Sequence, residues 1–251
     1  MSPIAENLSR VHDAIATACR KAARSREDVR LMAVSKTHPV ELLLEAAAAG
    51  QRLFGENRVQ EFAEKAEALS TYTDGNALDV HLIGHLQSNK SGVAGEIFSA
   101  VDTLDSLKLA ERLNSAAQRL GRSLPVLIEI KLSWEKTKEG LAPDSPELSR
   151  LLERLPDLHT HLPLHGLMTV APIADDPAVA RACFRQLREL RERLARQYPR
   201  LRFDELSMGM SGDFEDAVAE GSTTVRLGTA IFGARPKHGD MRVSGVLRPR
   251  T

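Results

Sequence analysis

Cysteine is nearly missing from this sequence: 2 among 251 residues, Cys19 and Cys183, both on apolar faces of predicted helices. That excludes a disulfide framework and suits a reducing cytoplasm. An excess of either charge is missing too. The 34 Lys and Arg equal the 34 Asp and Glu, so the formal net charge is zero. The electrostatic signature of a dedicated nucleic-acid or membrane-surface protein is therefore absent. No apolar run approaches the roughly 18 residues of a membrane span, and the opening MSPIAENLSR lacks the apolar core of a secretion signal. No segment repeats at a fixed period, which argues against a solenoid, and no linker-like change of composition divides the chain. What is present, 42% hydrophobic and 27% charged residues, suffices for one substantial core at a length that α/β barrels commonly fill as one domain.

The chain opens with Ile4, Leu8, Val11, Ile15, Ala18 and Ala22 at helical spacing, which predicts an amphipathic helix over residues 4–24. Strands and helices then alternate. Short apolar runs predict strands over 30–35, 52–56, 79–84, 97–104, 124–132, 165–170, 203–208 and 223–227. Helical spacing marks the segment from Pro39 to the stop at Gly50, and the segments 58–69, 109–120, 146–155 and 183–194. The pattern predicts the α/β class: a single (β/α)8 TIM barrel with an extra N-terminal helix over residues 1–235, followed by a C-terminal tail over 236–251. A doubly wound open sheet is the alternative, but eight regular repeats in this length favour closure.

In such a barrel the chemistry sits at the carboxyl ends of the strands. Lys36, in LMAVSKTH, stands at the end of the first. A buried strand end is a costly place for an unpaired ammonium, and the cost falls if the amine gives up its proton. The neutral amine is then a nucleophile toward aldehydes. A strand-end lysine that simply reaches water is the alternative reading. The loops after strands seven and eight, SMGMSGDFEDAVAEG and RLGTAIFG, are where barrels often hold phosphate. Gly209 and Gly212 let backbone amides approach an anion, and Ser211 adds a hydroxyl ahead of a helix capped by Asp213. Gly228 and Thr229 open a second short helix. Two ordinary Gly-containing turns would read the same way. A lysine and a phosphate cup together describe a phosphorylated aldehyde: pyridoxal 5′-phosphate, or a sugar phosphate in a Schiff-base aldolase. Arg226 either faces a pyridine nitrogen and keeps it unprotonated, or pairs with a barrel carboxylate such as Glu56 or Glu129.

The stretches LMAVSK, FGENRVQE, HLIGHLQSNK, GLMTV and LSMGMSGDFEDAVAEGSTTVRLGTAIFGAR resemble the YggS/PROSC family of pyridoxal phosphate homeostasis proteins, over about residues 30–235. That family is similar to the barrel domain of alanine racemase, the fold type III arrangement that binds PLP (pyridoxal 5′-phosphate). The resemblance implies a carrier that buffers the cofactor and delivers it to apo PLP-dependent enzymes, without established turnover. A cytoplasmic monomer is expected, with neither nucleic acid nor membrane as partner. By the same resemblance Lys36 carries the cofactor as an internal aldimine and Asn57 lies near the ring. Ser211, Gly228 and Thr229 contact the phosphate, with Ser207 and Met208 beside it, and Arg226 faces the pyridine nitrogen. The loop SWEKTKEG carries Lys136 and Lys138, the latter where the family has a lysine, and both would attract departing cofactor. Departures are small: Leu82 stands where Phe is often found, and the loop APIADD varies.

The alternative function is a PLP-dependent amino-acid racemase or lyase. Two-base racemisation needs a proton acceptor on each face of the carbanion. Alanine racemase takes its second base, a tyrosine, from a further domain across a dimer. Here only a short tail follows strand eight, and Tyr72 and Tyr198 are expected on the amino-terminal face, away from Lys36. His38 and His85 fall on the functional face, as polar lining or as substitute bases. His159, His161 and His165 look like a metal cluster, but His159 and His161 precede a strand and so fall on the opposite face, and only Asp157 could complete a set, so a surface loop is the reading and no metal site is expected. The arginines from Arg181 to Arg202, interleaved with Glu189 and Glu192, read as a solvated helix face.

Overall fold

The structure, a computed structural model, describes residues 2–70, 77–132 and 139–234. Tyr72, the Lys136 and Lys138 positions and the 236–251 tail lie outside the described residues.

Eight parallel strands close into a barrel in chain order. They are β1 (Arg30–Val34), β2 (Leu53–Glu56), β3 (Asp79–Leu82), β4 (Ala100–Leu104), β5 (Val126–Glu129), β6 (Leu164–Met168), β7 (Glu205–Ser207) and β8 (Thr224–Leu227). Closure is made by β1 on β8, with Met32 opposite Arg226 and Ala33 opposite Leu227. The helices are α1 (Pro3–Lys21), α2 (Val40–Ala48), α3 (Val59–Ser70), α4 (Ser91–Ile97), α5 (Leu107–Arg119), α6 (Pro146–Leu158), α7 (Pro177–Gln197), α8 (Phe214–Ala219) and α9 (Thr229–Phe232). No helix among the described residues is long and apolar enough to cross a membrane.

Side chains alternate across a strand, so each strand serves two environments. Leu31, Phe54, Val80, Val101, Ile128, Leu167, Leu206 and Val225 enter the apolar layer beneath the helices. The alternate positions face the barrel interior, where Met32 and Met168 lie among polar and charged groups. There His81 Nδ1 lies 3.0 Å from Asp102 Oδ1. Burial opposes a charge on His81, but Asp102, with help from Asp79, outweighs it and pushes the imidazole up to about 10. Arg30 pairs with Glu205, which also lies 3.5 Å from His165.

Helix starts follow their caps. Ser106 Oγ accepts from the Leu109 amide at 3.3 Å, and Ser145 Oγ from Leu148 at 3.2 Å ahead of Pro146. The extra helix α1 buries Ile4, Leu8, Val11 and Ile15 and packs on α8 and α9. Arg24 fastens its end by donating to the carbonyls of Val218 and Ser222, at 2.8 Å each.

Two expectations are corrected. The run 97–104 is not one strand: Ile97 closes α4, a helix that periodicity missed because SGVAGEI is short and Gly-rich, and β4 begins at Ala100. Asp213 occupies the cap position of α8, but its side chain bonds none of that helix's first amides and turns back to accept from the Met210 amide. Cys19 and Cys183 are buried and are not joined in a disulfide.

Candidate functional site

A cavity of about 490 Å³ opens at the carboxyl ends of the strands. Lys36, His38 and Asn57 enter its lining from the ends of β1 and β2, and Arg226, Ser211, Gly212, Gly228 and Thr229 from β8 and the turns after β7 and β8. Val34, Ile83, Val170 and Met210 supply apolar wall. This size lies within the roughly 300–1,000 Å³ typical of small-molecule sites.

Lys36 reaches the wall because β1 ends at Val34 and a turn follows, closed by the His38 amide on Ser35 O at 3.1 Å. His38 is buried, its ring 5.1 Å from that of Phe232 in α9, which joins the lysine turn to the β8 turn. Asn57 follows β2 and is held by a close approach. A Cβ on Gly84 would lie 2.2 Å from the Asn57 carbonyl oxygen, so only glycine lets these two strand ends meet. In the loop after β7, Gly209 sits at φ +96°, and a Cβ there would lie 2.5 Å from Ala217. A Cβ on Gly212 would meet nothing within 4 Å, so its missing side chain leaves room along the cavity wall.

Arg226 resolves an open alternative. Its guanidinium donates to Ser207 Oγ at 2.7 Å and to Thr169 O at 2.8 Å, not to a carboxylate. Glu56 is engaged elsewhere, its Oε1 accepting from Ser35 Oγ at 2.8 Å and Lys65 Nζ at 2.9 Å. Burial weakens the hold of Arg226 on its proton, while Asp102, Glu129 and Asp213 act against that; an arginine stays charged regardless. Ser207 is fully buried with its hydroxyl turned to Arg226, and Met208 is in the apolar core, so neither belongs to the cavity lining.

Beside this cavity lies a smaller one of about 150 Å³, lined by His85, Glu129, Lys131 and Glu139 and sharing Val170 with the first. His85 Nδ1 is 3.2 Å from Asp105 Oδ2. The ligand atoms of His85, Asp105 and Glu139 all lie within 4.8 Å of one another, a grouping that residue spacing did not reveal because it spans three loops. Burial, then the Asp105 charge, push Glu129 up to about 7. The other histidines do not converge: His161 Nδ1 meets the Arg122 carbonyl at 3.1 Å, and His165 pairs with Glu205. On the arginine-rich α7, Arg181, Arg185 and Arg188 all pair with Glu220.

The apolar wall was the least legible part of the site. Ile83 and Val170 lie just past the ends of β3 and β6, two residues beyond His81 and Met168, and continue their inward register. That extended period of two is the signal that finds them.

Residues 8–236 match the family described as alanine racemase, N-terminal domain. A Vibrio cholerae protein named pyridoxal phosphate homeostasis protein is 44% identical over 236 residues, covering 94% of this chain and 98% of its own. The solved structure of PipY from Synechococcus elongatus, with PLP bound, is 41% identical, with a TM-score of 0.77, and covers 92% of this chain and 100% of its own. Alanine racemase from Clostridium difficile shares the fold alone, at 16% identity and a TM-score of 0.65, over 90% of this chain and 57% of its own.

Proposed function

The chain belongs to the family of pyridoxal phosphate homeostasis proteins, built on the barrel of the alanine racemase N-terminal domain, and from that premise we propose that it binds pyridoxal 5′-phosphate, buffers it and delivers it to apo-enzymes. The observation that carries the reading is one cavity walled by a strand-end lysine, a buried arginine and two glycine-containing turns with Ser211 and Thr229. These residues fit the cofactor: Lys36 for the aldehyde carbon, held as a Schiff base, Arg226 for the ring nitrogen, Asn57 beside the ring, and Ser211, Gly228 and Thr229 for the phosphate. Bound there, the cofactor supplies an aldehyde that condenses reversibly with primary amines.

The chain's own residues do the rest. Arg226, fixed by Ser207 and Thr169, presents a permanent cation that leaves no proton for the ring nitrogen to take. An unprotonated ring is a weak electron sink, which favours holding the cofactor over carbanion chemistry. His38 is fixed against Phe232 and narrows the lysine side of the cavity. Tyr198 follows α7 at the amino-terminal end of the barrel, far from a role as second base. The curated relatives carry the name of homeostasis proteins, which supports a carrier. Residues 1–235 would form the binding unit and 236–251 a tail, working as a monomer. Two buried cysteines without a disulfide suit a reducing cytoplasm.

The test is transfer. The loaded protein should show the visible absorbance of a lysine-bound aldehyde cofactor and should reactivate an apo-enzyme in stoichiometric amount. Solvent deuterium should not enter Cα of L- or D-amino acids over multiple turnovers. Multiple-turnover exchange lost in Lys36→Ala would make the protein an enzyme and overturn the carrier reading.

A further inference from the structure

We propose that Glu61 and Lys65, one turn apart on α3, are positioning residues that aim Lys36 into the cavity by holding the peptide groups on both sides of it. The proposal rests on Lys36 being the residue that receives the aldehyde. It is carried by four contacts. The Thr37 amide, in the peptide after Lys36, donates to Glu61 Oε1. The Ser35 carbonyl, in the peptide before Lys36, accepts from Lys65 Nζ at 3.2 Å. Lys65 Nζ also donates to Glu61 Oε1 at 3.0 Å and to Glu56 Oε1 at 2.9 Å. An ammonium has three donors, and these three acceptors account for them.

The clamp is needed because the turn is strained. Thr37 sits at φ +66°, on the left-handed side that β-branched residues avoid. Left to itself, the turn would relax toward negative φ and swing the Lys36 side chain. A carboxylate on the Thr37 amide and an ammonium on the Ser35 carbonyl fix both peptide planes, and with them the direction of the Lys36 Cα–Cβ bond.

The supports are themselves anchored. Glu56 is fully buried and also accepts from Ser35 Oγ at 2.8 Å. Its Oε2 has no hydrogen-bond partner, and burial pushes its carboxyl above the usual range even against the Lys65 ammonium and the Ser35 hydroxyl. None of the three lines the cavity, so they act on a ligand through the turn that carries Lys36. Burial would raise the Glu61 carboxyl, but the Thr37 amide and Lys65 outweigh it and hold it below its usual range, so it stays an acceptor at neutral pH.

The test uses Glu61→Ala, at a half-buried position that leaves the Lys65–Glu56 pair in place, and Glu61→Gln, which keeps an acceptor for the Thr37 amide. Pyridoxal, which lacks the phosphate, is reacted with the full chain, trapped with borohydride and quantified on the Lys36 peptide. In parallel, inorganic phosphate binding is measured, and the Thr37 amide proton shift is recorded with no ligand added. Glu61→Ala should slow Lys36 labelling by about tenfold, the scale of one hydrogen bond to a charged group. It should also move the Thr37 proton upfield and leave phosphate binding unchanged, and Glu61→Gln should restore most of the labelling. Labelling of Glu61→Ala at the full rate would overturn the proposal. So would a parallel loss of phosphate binding, which would mean general loosening. Absence of label on Lys36 in the unsubstituted protein would instead sink the reading of Lys36 itself, and the positioning role with it.

Discussion

Replacing Glu129 by Gln should stabilise the protein above neutral pH and leave it almost unchanged in acid. Glu129 ends β5 at the barrel mouth. Burial pushes its carboxyl from 4.5 up to about 7; Asp105 and Glu139 add to this, while Arg226 and His85 pull the other way. The folded state therefore binds this proton more tightly than the unfolded chain does. The stability it contributes is fully present below 4.5 and is lost as pH rises through about 7. Above that the fold carries a poorly solvated anion. The difference, about 7 minus 4.5, is about 2.5 units; at about 1.36 kcal/mol per unit the ceiling is about 3 kcal/mol. Partial access to water at the rim reduces this to about 1–2 kcal/mol. Gln keeps the shape and removes the charge. Urea midpoints of the two proteins, measured at about pH 4 and about pH 8.5, give the comparison. The variant should unfold later at the higher pH, and the two should nearly coincide at the lower. A variant less stable at the higher pH would refute the reasoning, because the ionised carboxylate would then be making contacts that favour the fold.

Three further outcomes are expected. Ser211→Ala combined with Thr229→Val removes two hydroxyls but leaves the backbone amides; affinity for pyridoxal 5′-phosphate should fall by about 1.5–3 kcal/mol per lost charged hydrogen bond, while titration with pyridoxal shows little change. An equal loss for both ligands would remove the cup from the phosphate. Gly84→Ala should displace the Asn57 backbone, since a Cβ would stand 2.2 Å from its carbonyl oxygen; a lower melting temperature and weaker cofactor binding are expected, and an unchanged protein would show the approach to be looser than described. His81, raised to about 10 against the opposing effect of burial by Asp102 and Asp79, contributes stability that is fully present below 6.5 and fades as pH rises through about 10. His81→Gln should flatten that alkaline slope in denaturant titrations, and an unaltered slope would place its origin elsewhere.

The barrel was legible because its outer layer is apolar at every second strand position, from Leu31 and Ala33 in β1 to Val225 and Leu227 in β8. Lys36 and the β7 and β8 turns were legible for a related reason: they interrupt apolar strands at carboxyl ends, where a barrel puts its chemistry. What patterning could not give were contacts between segments distant in the chain. The pairing of Arg226 with Ser207 and Thr169 is set by strand register, and no spacing within RLGTAIFG encodes it. Ser207 and Met208 sit in the motif beside the cup, yet the first props the arginine and the second fills the core, because strand alternation decides orientation and motif membership does not. The GENRVQEFAEK stretch reads as a strand end and a helix. Its service to Lys36 appears only when Glu61 and Lys65 are seen against the turn of another strand.

The central claim is that Lys36 is the group that holds the cofactor. The protein is loaded with pyridoxal 5′-phosphate, reduced with borohydride, digested and mapped by mass spectrometry, beside Lys36→Ala treated in the same way. The account predicts a stoichiometric label on the Lys36 peptide and its loss in the variant. Full labelling of another lysine in Lys36→Ala, with the visible absorbance band retained, would contradict it.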